Sequence, residues 1–132
     1  MMRKVACLLI ASLVLTACLD DRSDDRTSTE VQRLAREGFE LLLAGDVDGW
    51  LSRMDGYDSL PESYRRQLRD AMLMHMDKER RLHGGLTAAV VVGDSILDSI
   101  NAEAFVELQY ADSVRERIHL PVVKRHGNWK IK

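Results

Sequence analysis

The chain has 132 residues, of which 45% are hydrophobic and 30% are charged, and its formal net charge is −2. This length and composition are typical of one globular domain with a short additional segment at one end, and they leave no room for two domains. The acidic balance argues against nucleic acid as a partner, because nucleic-acid binding requires a concentrated basic face.

The first residues have the form of a secretory signal. Arg3 and Lys4 precede a run of apolar and small residues from Val5 to Ala17. A membrane-spanning helix needs roughly 20 apolar residues, and this run is shorter. We therefore predict a signal peptide over residues 1–17 rather than a spanning helix.

Cys18 stands where the apolar run meets an acidic segment. The sequence Leu15-Thr16-Ala17-Cys18 resembles the lipobox of bacterial lipoproteins. The resemblance implies that Cys18 becomes the first mature residue and carries lipid chains such as palmitate, which anchor the protein in a membrane. The alternative is that Cys18 is an ordinary residue of the signal, like Cys7, and that the mature protein is secreted without an anchor.

The residues after Cys18 bear on location within the envelope. Leu19 resembles the residue found at this position in lipoproteins of the outer membrane, whereas the aspartate pairs that follow resemble surface-export tags. The periplasmic and the outer face of the membrane both remain open. Residues 18–26 contain few apolar side chains after the cysteine, so we expect an acidic tether.

Residues 27–132 read as the folded domain, beginning with helices. Thr27 and Glu30 fit a capping box at the start of a first helix, and Gly45 is a plausible end. Asp46 is expected to cap a short second helix that Gly56 ends. A third helix is expected from about residue 60 to about residue 82, with a second capping box formed by Ser59 and Glu62.

The periodicity changes to that of strands after Gly84-Gly85. The next segment, LTAAVVV, is rich in β-branched residues, and EAFVELQY alternates apolar with polar side chains, which is typical of a strand with one buried face. Two more strands follow, and Pro121 in the third predicts a bulge or an edge. The order predicts an α+β fold, with helices packed on one face of a four-stranded antiparallel sheet.

Four features taken together resemble the small NTF2-like (cystatin-like) domains of bacterial lipoproteins, in particular the DUF4878-like group. These features are the element order, the AGDVDGW helix-to-helix turn, the GGL entry to the first strand, and the terminal LPVVKRHGNWKIK. The resemblance covers the chain from about residue 27 to its end. It implies a bent sheet wrapped around a helix, a cone with a pocket at its wide end, and in many relatives a homodimer. It assigns no activity, because a fold does not determine function.

The third helix carries the candidates for chemistry. On a helical wheel, His75 and Glu79 fall within an apolar stripe, one turn apart, where they could exchange a proton. The simpler interpretation is a satisfied buried histidine with Glu79 reaching solvent. Candidate pocket residues on the same stripe are Tyr64, Leu68, Met72, His75 and Glu79.

Other chemistries lack their motifs in this sequence. No HExxH, GxSxG or phosphate-binding loop occurs, and the histidines are dispersed, so we expect no metal and no cofactor. We predict a non-enzymatic envelope lipoprotein that binds a small apolar ligand or an envelope protein. The alternative is a small isomerase, hydratase or lyase that uses His75 and Glu79 for proton transfer in the pocket.

Overall fold

The computed structural model describes residues 24–132. The predicted signal peptide, Cys18 and the first part of the predicted tether lie outside these residues. In this part of the chain three α-helices precede four strands, with the following bounds: α1 at 24–43, α2 at Val47–Leu51, α3 at Glu62–His83, β1 at Leu86–Ile96, β2 at Asn101–Tyr110, β3 at Arg115–Arg125 and β4 at Asn128–Ile131. A single 3₁₀ turn, Tyr57–Ser59, connects α2 to α3 within this range.

The four strands form an antiparallel meander in the order β1-β2-β3-β4. In β2, Ala104, Val106 and Tyr110 face the helices, as the sequence alternation predicted. The sheet is curled, and two register shifts in β1, one of them between Val91 and Gly93, provide local bends. The predicted α+β class, with helices on one face of a four-stranded sheet, is confirmed.

Pro121 does not produce a bulge, because β2 and β3 pair in continuous register around it. Its carbonyl oxygen accepts a hydrogen bond from the Lys132 backbone N–H at 2.9 Å. In an antiparallel strand the nitrogen and the carbonyl oxygen of one residue point to the same side, so the Pro121 nitrogen also faces β4. The paired residues of β3 and β4 end at Val122 and Ile131, and the missing N–H of Pro121 therefore leaves no hydrogen bond of that ladder unmade.

The hydrophobic core lies between α1, α2 and the curled sheet. Its members are buried apolar side chains from both helices and from three strands: Val31, Ala35, Phe39, Leu42, Val47, Trp50, Leu51, Ala102, Ala104, Val106, Leu120, Val122, Trp129 and Ile131. Gly38 allows a close approach in this core, since a Cβ at that position would lie 3.0 Å from the Trp50 ring. The small residue on α1 therefore sets how closely α2 packs against it.

The start of α1 differs from the prediction. The helix already includes residues 24–26, so Thr27 lies inside it rather than at its N-cap. Ser28 Oγ and Gln32 Nε2 both donate to Asp94 Oδ1 of β1, at 2.5 and 2.6 Å. These hydrogen bonds connect the first turns of the helix to the sheet, and this tertiary support is not visible in the local composition.

Helix α2 begins as predicted. The Asp46 side chain accepts a hydrogen bond from the Gly49 backbone N–H at 2.8 Å. After the helix, Met54 forms a parallel bridge to Ile131, and the Asp55 N–H donates to the Ile131 carbonyl at 2.7 Å. The segment after α2 therefore covers the outer edge of β4.

Helix α3 is the most loosely held helix in the described part of the chain, since none of its 22 residues is buried. It begins after Pro61, and no side chain caps its first turn, so the predicted capping box of Ser59 and Glu62 does not form. Gly84 ends it in the left-handed conformation, with φ of 77°. This loose attachment leaves open space between α3 and the rest of the domain.

Candidate functional site

A cavity of about 560 Å³ lies between α1, α3 and the inner face of the sheet. This volume is within the range of small-molecule sites in proteins. Its wall on the α1 and α2 side includes Phe39, Leu42 and Trp50. Met72 and Met76 of α3 face them, and the sheet contributes Leu108, Ile118 and Leu120. The cavity is therefore mostly apolar.

The cavity exists because α3 stands away from the core that the other elements form. The side chains of α3 that approach the core most closely are half-buried, and two of them are Met72 and Met76. Methionine is unbranched and adapts its shape, so it lines irregular space without filling it rigidly. The wall on this side is therefore adaptable to the shape of a bound molecule.

One end of the cavity is polar. Glu79 of α3 and Glu116 of β3 both line it, together with Tyr110 of β2. The Tyr110 hydroxyl donates a hydrogen bond to Glu116 Oε2 at 3.3 Å. Burial, followed by the negative charges of Glu79 and Glu116, raises the pKa of Tyr110 to about 12. The phenol therefore remains a neutral donor over the physiological range.

The candidate residues from the sequence are partly brought together. Met72, His75 and Glu79 line the cavity, whereas Tyr64 and Leu68 do not. Within the described residues no hydrogen bond joins His75 to Glu79, and the imidazole of His75 is on an exposed part of the helix. The simpler interpretation expected a buried His75 with Glu79 reaching solvent, and its buried histidine is wrong, because His75 is exposed while Glu79 is half-buried.

The face of α3 that packs inward is rotated about the helix axis from the predicted stripe, by less than the angle between two consecutive residues. Tyr64 is 50% exposed and Leu82 is 60% exposed, although both were predicted to face inward. Arg65 and Arg69 are only partly exposed, because the Arg65 guanidinium lies 5.9 Å from the centre of the Tyr57 ring and Arg69 pairs with Asp48 at 3.6 Å. Long arginine side chains cover apolar surface with their stems, and a hydropathy pattern does not count them as inward-facing.

A histidine–aspartate contact beside the cavity was not predicted. His83 Nδ1, at the end of α3, lies 2.7 Å from Asp112 Oδ2 in the β2–β3 turn, and the His83 ring lies 5.3 Å from that of Tyr110. The hydrogen bond from His83 lowers the pKa of Asp112. Together with the hydrogen bond from the Asp112 N–H to the His83 carbonyl, it fixes the end of α3 to the sheet. The two residues are 29 positions apart, and no sequence signal links them.

Arg80, Tyr110 and Glu116 are polar cavity residues that were not singled out from the sequence. The alternation in β2 does indicate that Tyr110 faces inward. The alternation in β3 likewise puts Glu116 on the face of Ile118 and Leu120, but only the pairing of β2 with β3, which sets Leu108 opposite Glu116, brings it to the same end of the cavity as Tyr110.

Residues 24–132 also lack a metal-binding cluster and a membrane-spanning helix. No group of three or more histidine, aspartate, glutamate or cysteine side chains in this part of the chain could hold a metal ion. None of the helices within it combines the length and the apolar character needed to cross a bilayer.

Comparison with known proteins identifies the fold. No protein-family model matches the chain, and no curated protein matches it. A solved structure from Campylobacter jejuni, provisionally described as an NTF2-like transpeptidase, superposes with a TM-score of 0.57 at 16% sequence identity. The match covers 75% of this chain and 94% of that chain. Likeness at this identity shows the fold alone, and the chain therefore has an NTF2-like α+β fold.

Proposed function

We propose that this protein is a lipid-anchored lipoprotein of the bacterial outer membrane whose NTF2-like domain binds a small apolar ligand and leaves it chemically unchanged. The observation that carries the proposal is the cavity of about 560 Å³, with apolar walls and few polar groups. An apolar molecule gains about 0.8 kcal/mol for each methylene group that it buries there. The concave shape favours a small ligand over a protein partner, which would need a broader surface.

The test of ligand binding begins with the protein as its host makes it. Native mass spectrometry of the purified full chain, followed by organic extraction, should reveal a bound apolar compound. A variant with a filled cavity, Ile118→Trp, purified in parallel, should lack that compound. Recovery of ligand-free protein from every preparation would contradict the proposal.

The anchor has its own test, and the chain supplies a matched control. Cells that express the protein are labelled with a palmitate analogue. Cys18→Ser should abolish incorporation, because the variant lacks the thiol that receives the lipid, whereas Cys7→Ser should leave incorporation unchanged. Unchanged labelling of the Cys18→Ser variant would refute lipidation at Cys18.

A second candidate function is an isomerase, hydratase or lyase, and the shared position of His75 and Glu79 in the cavity wall favours it. The described residues that line the cavity include no serine, threonine or cysteine. Acyl transfer, which the description of the Campylobacter jejuni protein suggests, would need such a nucleophile. The chemistry of this second candidate is proton transfer by His75 and Glu79. If the extracted ligand is converted by wild type and not by His75→Gln, this candidate replaces the first.

A further inference from the structure

We propose that the ligand of this cavity is a cationic amphiphile, an amine joined to an apolar tail, with its positive group held between Glu79 and Glu116. This inference rests on the proposed ligand-binding function and deepens it by naming the chemical class of the ligand. The cavity has an apolar part and a charged end, and some of its charges are already paired within the described residues.

The apolar tail has a continuous surface to contact. Phe39 and Trp50 form one side, Met72 and Met76 form the opposite side, and Ile118 lies on the floor made by the sheet. The Phe39 and Trp50 rings pack with their centroids 4.9 Å apart, so this side is fixed. The methionine side is adaptable, and tails of different shape can therefore be accommodated.

The charged end is built from three different elements. Glu79 lines the cavity from α3 and Glu116 from β3, and Tyr110 of β2 lines it as a donor to Glu116. Both carboxylates act on the Tyr110 hydroxyl, since each contributes to its raised pKa. Both negative charges therefore act on the same part of the cavity wall.

Neither carboxylate is neutralised within the described part of the chain. No ion pair among residues 24–132 includes Glu79 or Glu116, although ten other pairs occur there. Arg80 lines the cavity, but its guanidinium lies 3.7 Å from Asp77. His83 contacts Tyr110, but its Nδ1 is already bonded to Asp112. Glu116 is exposed and Glu79 is half-buried, so both carboxylates are accessible to a cation from outside.

The same charges disfavour other amphiphiles. A fatty acid would place its carboxylate beside Glu79 and Glu116, and neighbouring negative charges repel one another. A lipid headgroup with a phosphate beside its amine would meet the same repulsion. The favoured ligand is therefore an amine without an anionic group. A neutral alcohol of equal tail length is the reference that shows how much the positive charge contributes to affinity.

The experiment compares three probes of equal tail length, octylamine, octanol and octanoate, by isothermal titration calorimetry with the full chain. In wild type we expect octylamine to bind at least about tenfold more tightly than octanol, and octanoate to bind most weakly. Replacing both carboxylates, Glu79→Gln with Glu116→Gln, should abolish the preference for the amine while the affinity for octanol is kept.

The matched control is Glu62→Gln, which removes the same charge from the first turn of the same helix, about 25 Å from Glu79 at 1.5 Å per residue. It should leave the order of affinities unchanged. Octanol binding as tightly as octylamine to wild type would overturn this inference and leave the proposed function standing. A preference for the amine that survives the double substitution would overturn the assignment to Glu79 and Glu116. Failure of all three probes to bind would overturn the proposed function and, with it, this inference.

Discussion

Filling the cavity should stabilise the protein and abolish ligand binding. Ile118 is a half-buried residue of β3 that lines the cavity floor opposite Val106 in the sheet. Tryptophan is larger than isoleucine, and in a closely packed core such a replacement costs about 1–3 kcal/mol. At Ile118 the added ring enters open space. If it buries about 60 Å² of additional apolar surface at about 25 cal/mol per Å², the gain is about 1.5 kcal/mol.

The control for Ile118→Trp is Val122→Trp. Val122 lies on the same strand and the same inward face, but it is 1% exposed, belongs to the packed core and does not line the cavity. Overpacking should therefore lower the free energy of unfolding of Val122→Trp by at least about 1–3 kcal/mol.

The assay is urea denaturation followed by far-ultraviolet circular dichroism, together with titration of the neutral fluorescent probe N-phenyl-1-naphthylamine. Wild type should bind the probe, and Ile118→Trp should bind it at least about tenfold more weakly, which corresponds to about 1.4 kcal/mol. If Ile118→Trp is destabilised as much as Val122→Trp and still binds the probe, the claim that Ile118 borders open space is refuted.

Three further predictions concern the groups that shape the domain. Asp46→Ala removes the acceptor of the Gly49 N–H and should lower the free energy of unfolding by about 1 kcal/mol in urea denaturation. The pKa of Asp112 is lower in the folded state than in the unfolded chain, so its contribution to stability is present above the unfolded value of about 3.9 and is lost as pH falls through the folded value. Asp112→Asn should remove that part of the acid dependence in urea titrations. The pKa of Tyr110 is raised to about 12, so its contribution is complete below the unfolded value of about 10 and is lost as pH rises toward 12. Glu116→Gln should shift the phenolate titration of Tyr110, followed by ultraviolet absorbance, to lower pH.

Each of these predictions has a control or a contradicting result. Asp46→Ser keeps a capping oxygen and should be close to wild type in stability, so an equal loss in both variants would refute the cap. If Asp112→Asn loses as much free energy of unfolding as wild type when the pH is lowered, the contact of Asp112 with His83 contributes nothing to the acid dependence of stability. An unchanged phenolate titration in Glu116→Gln would remove Glu116 from the surroundings of the Tyr110 hydroxyl.

Elements whose local sequence pattern allows a single interpretation were predicted correctly. In β2, apolar and polar residues alternate without a break, and the structure buries Ala104 and Val106 as expected. The cap at Asp46 was predictable for the same reason, because a short polar residue before an apolar turn is a local signal. The fold class followed from the order of these elements, and the structure confirms it.

Features that depend on contacts between residues far apart in the sequence were not predicted correctly. The orientation of α3 depends on Arg65 and Arg69, whose contacts with Tyr57 and Asp48 cannot be read from helical spacing. The bends in the sheet lie in β1, one of them beside Gly93, rather than at Pro121.

The charged end of the cavity depends on strand pairing, which places Glu116 of β3 near Tyr110 and Glu79. No local pattern predicts that convergence. The homodimer that the resemblance implies stays a prediction.

The most direct test of the central claim is a two-dimensional NMR titration of the full chain with N-phenyl-1-naphthylamine. If the cavity binds apolar ligands, the amide signals of Met72, Met76, Leu108 and Ile118 should shift saturably, and nuclear Overhauser contacts to the probe should come from the same residues. Shifts confined to the opposite face of the sheet, around Phe105, or no saturable shifts at all, would contradict the claim.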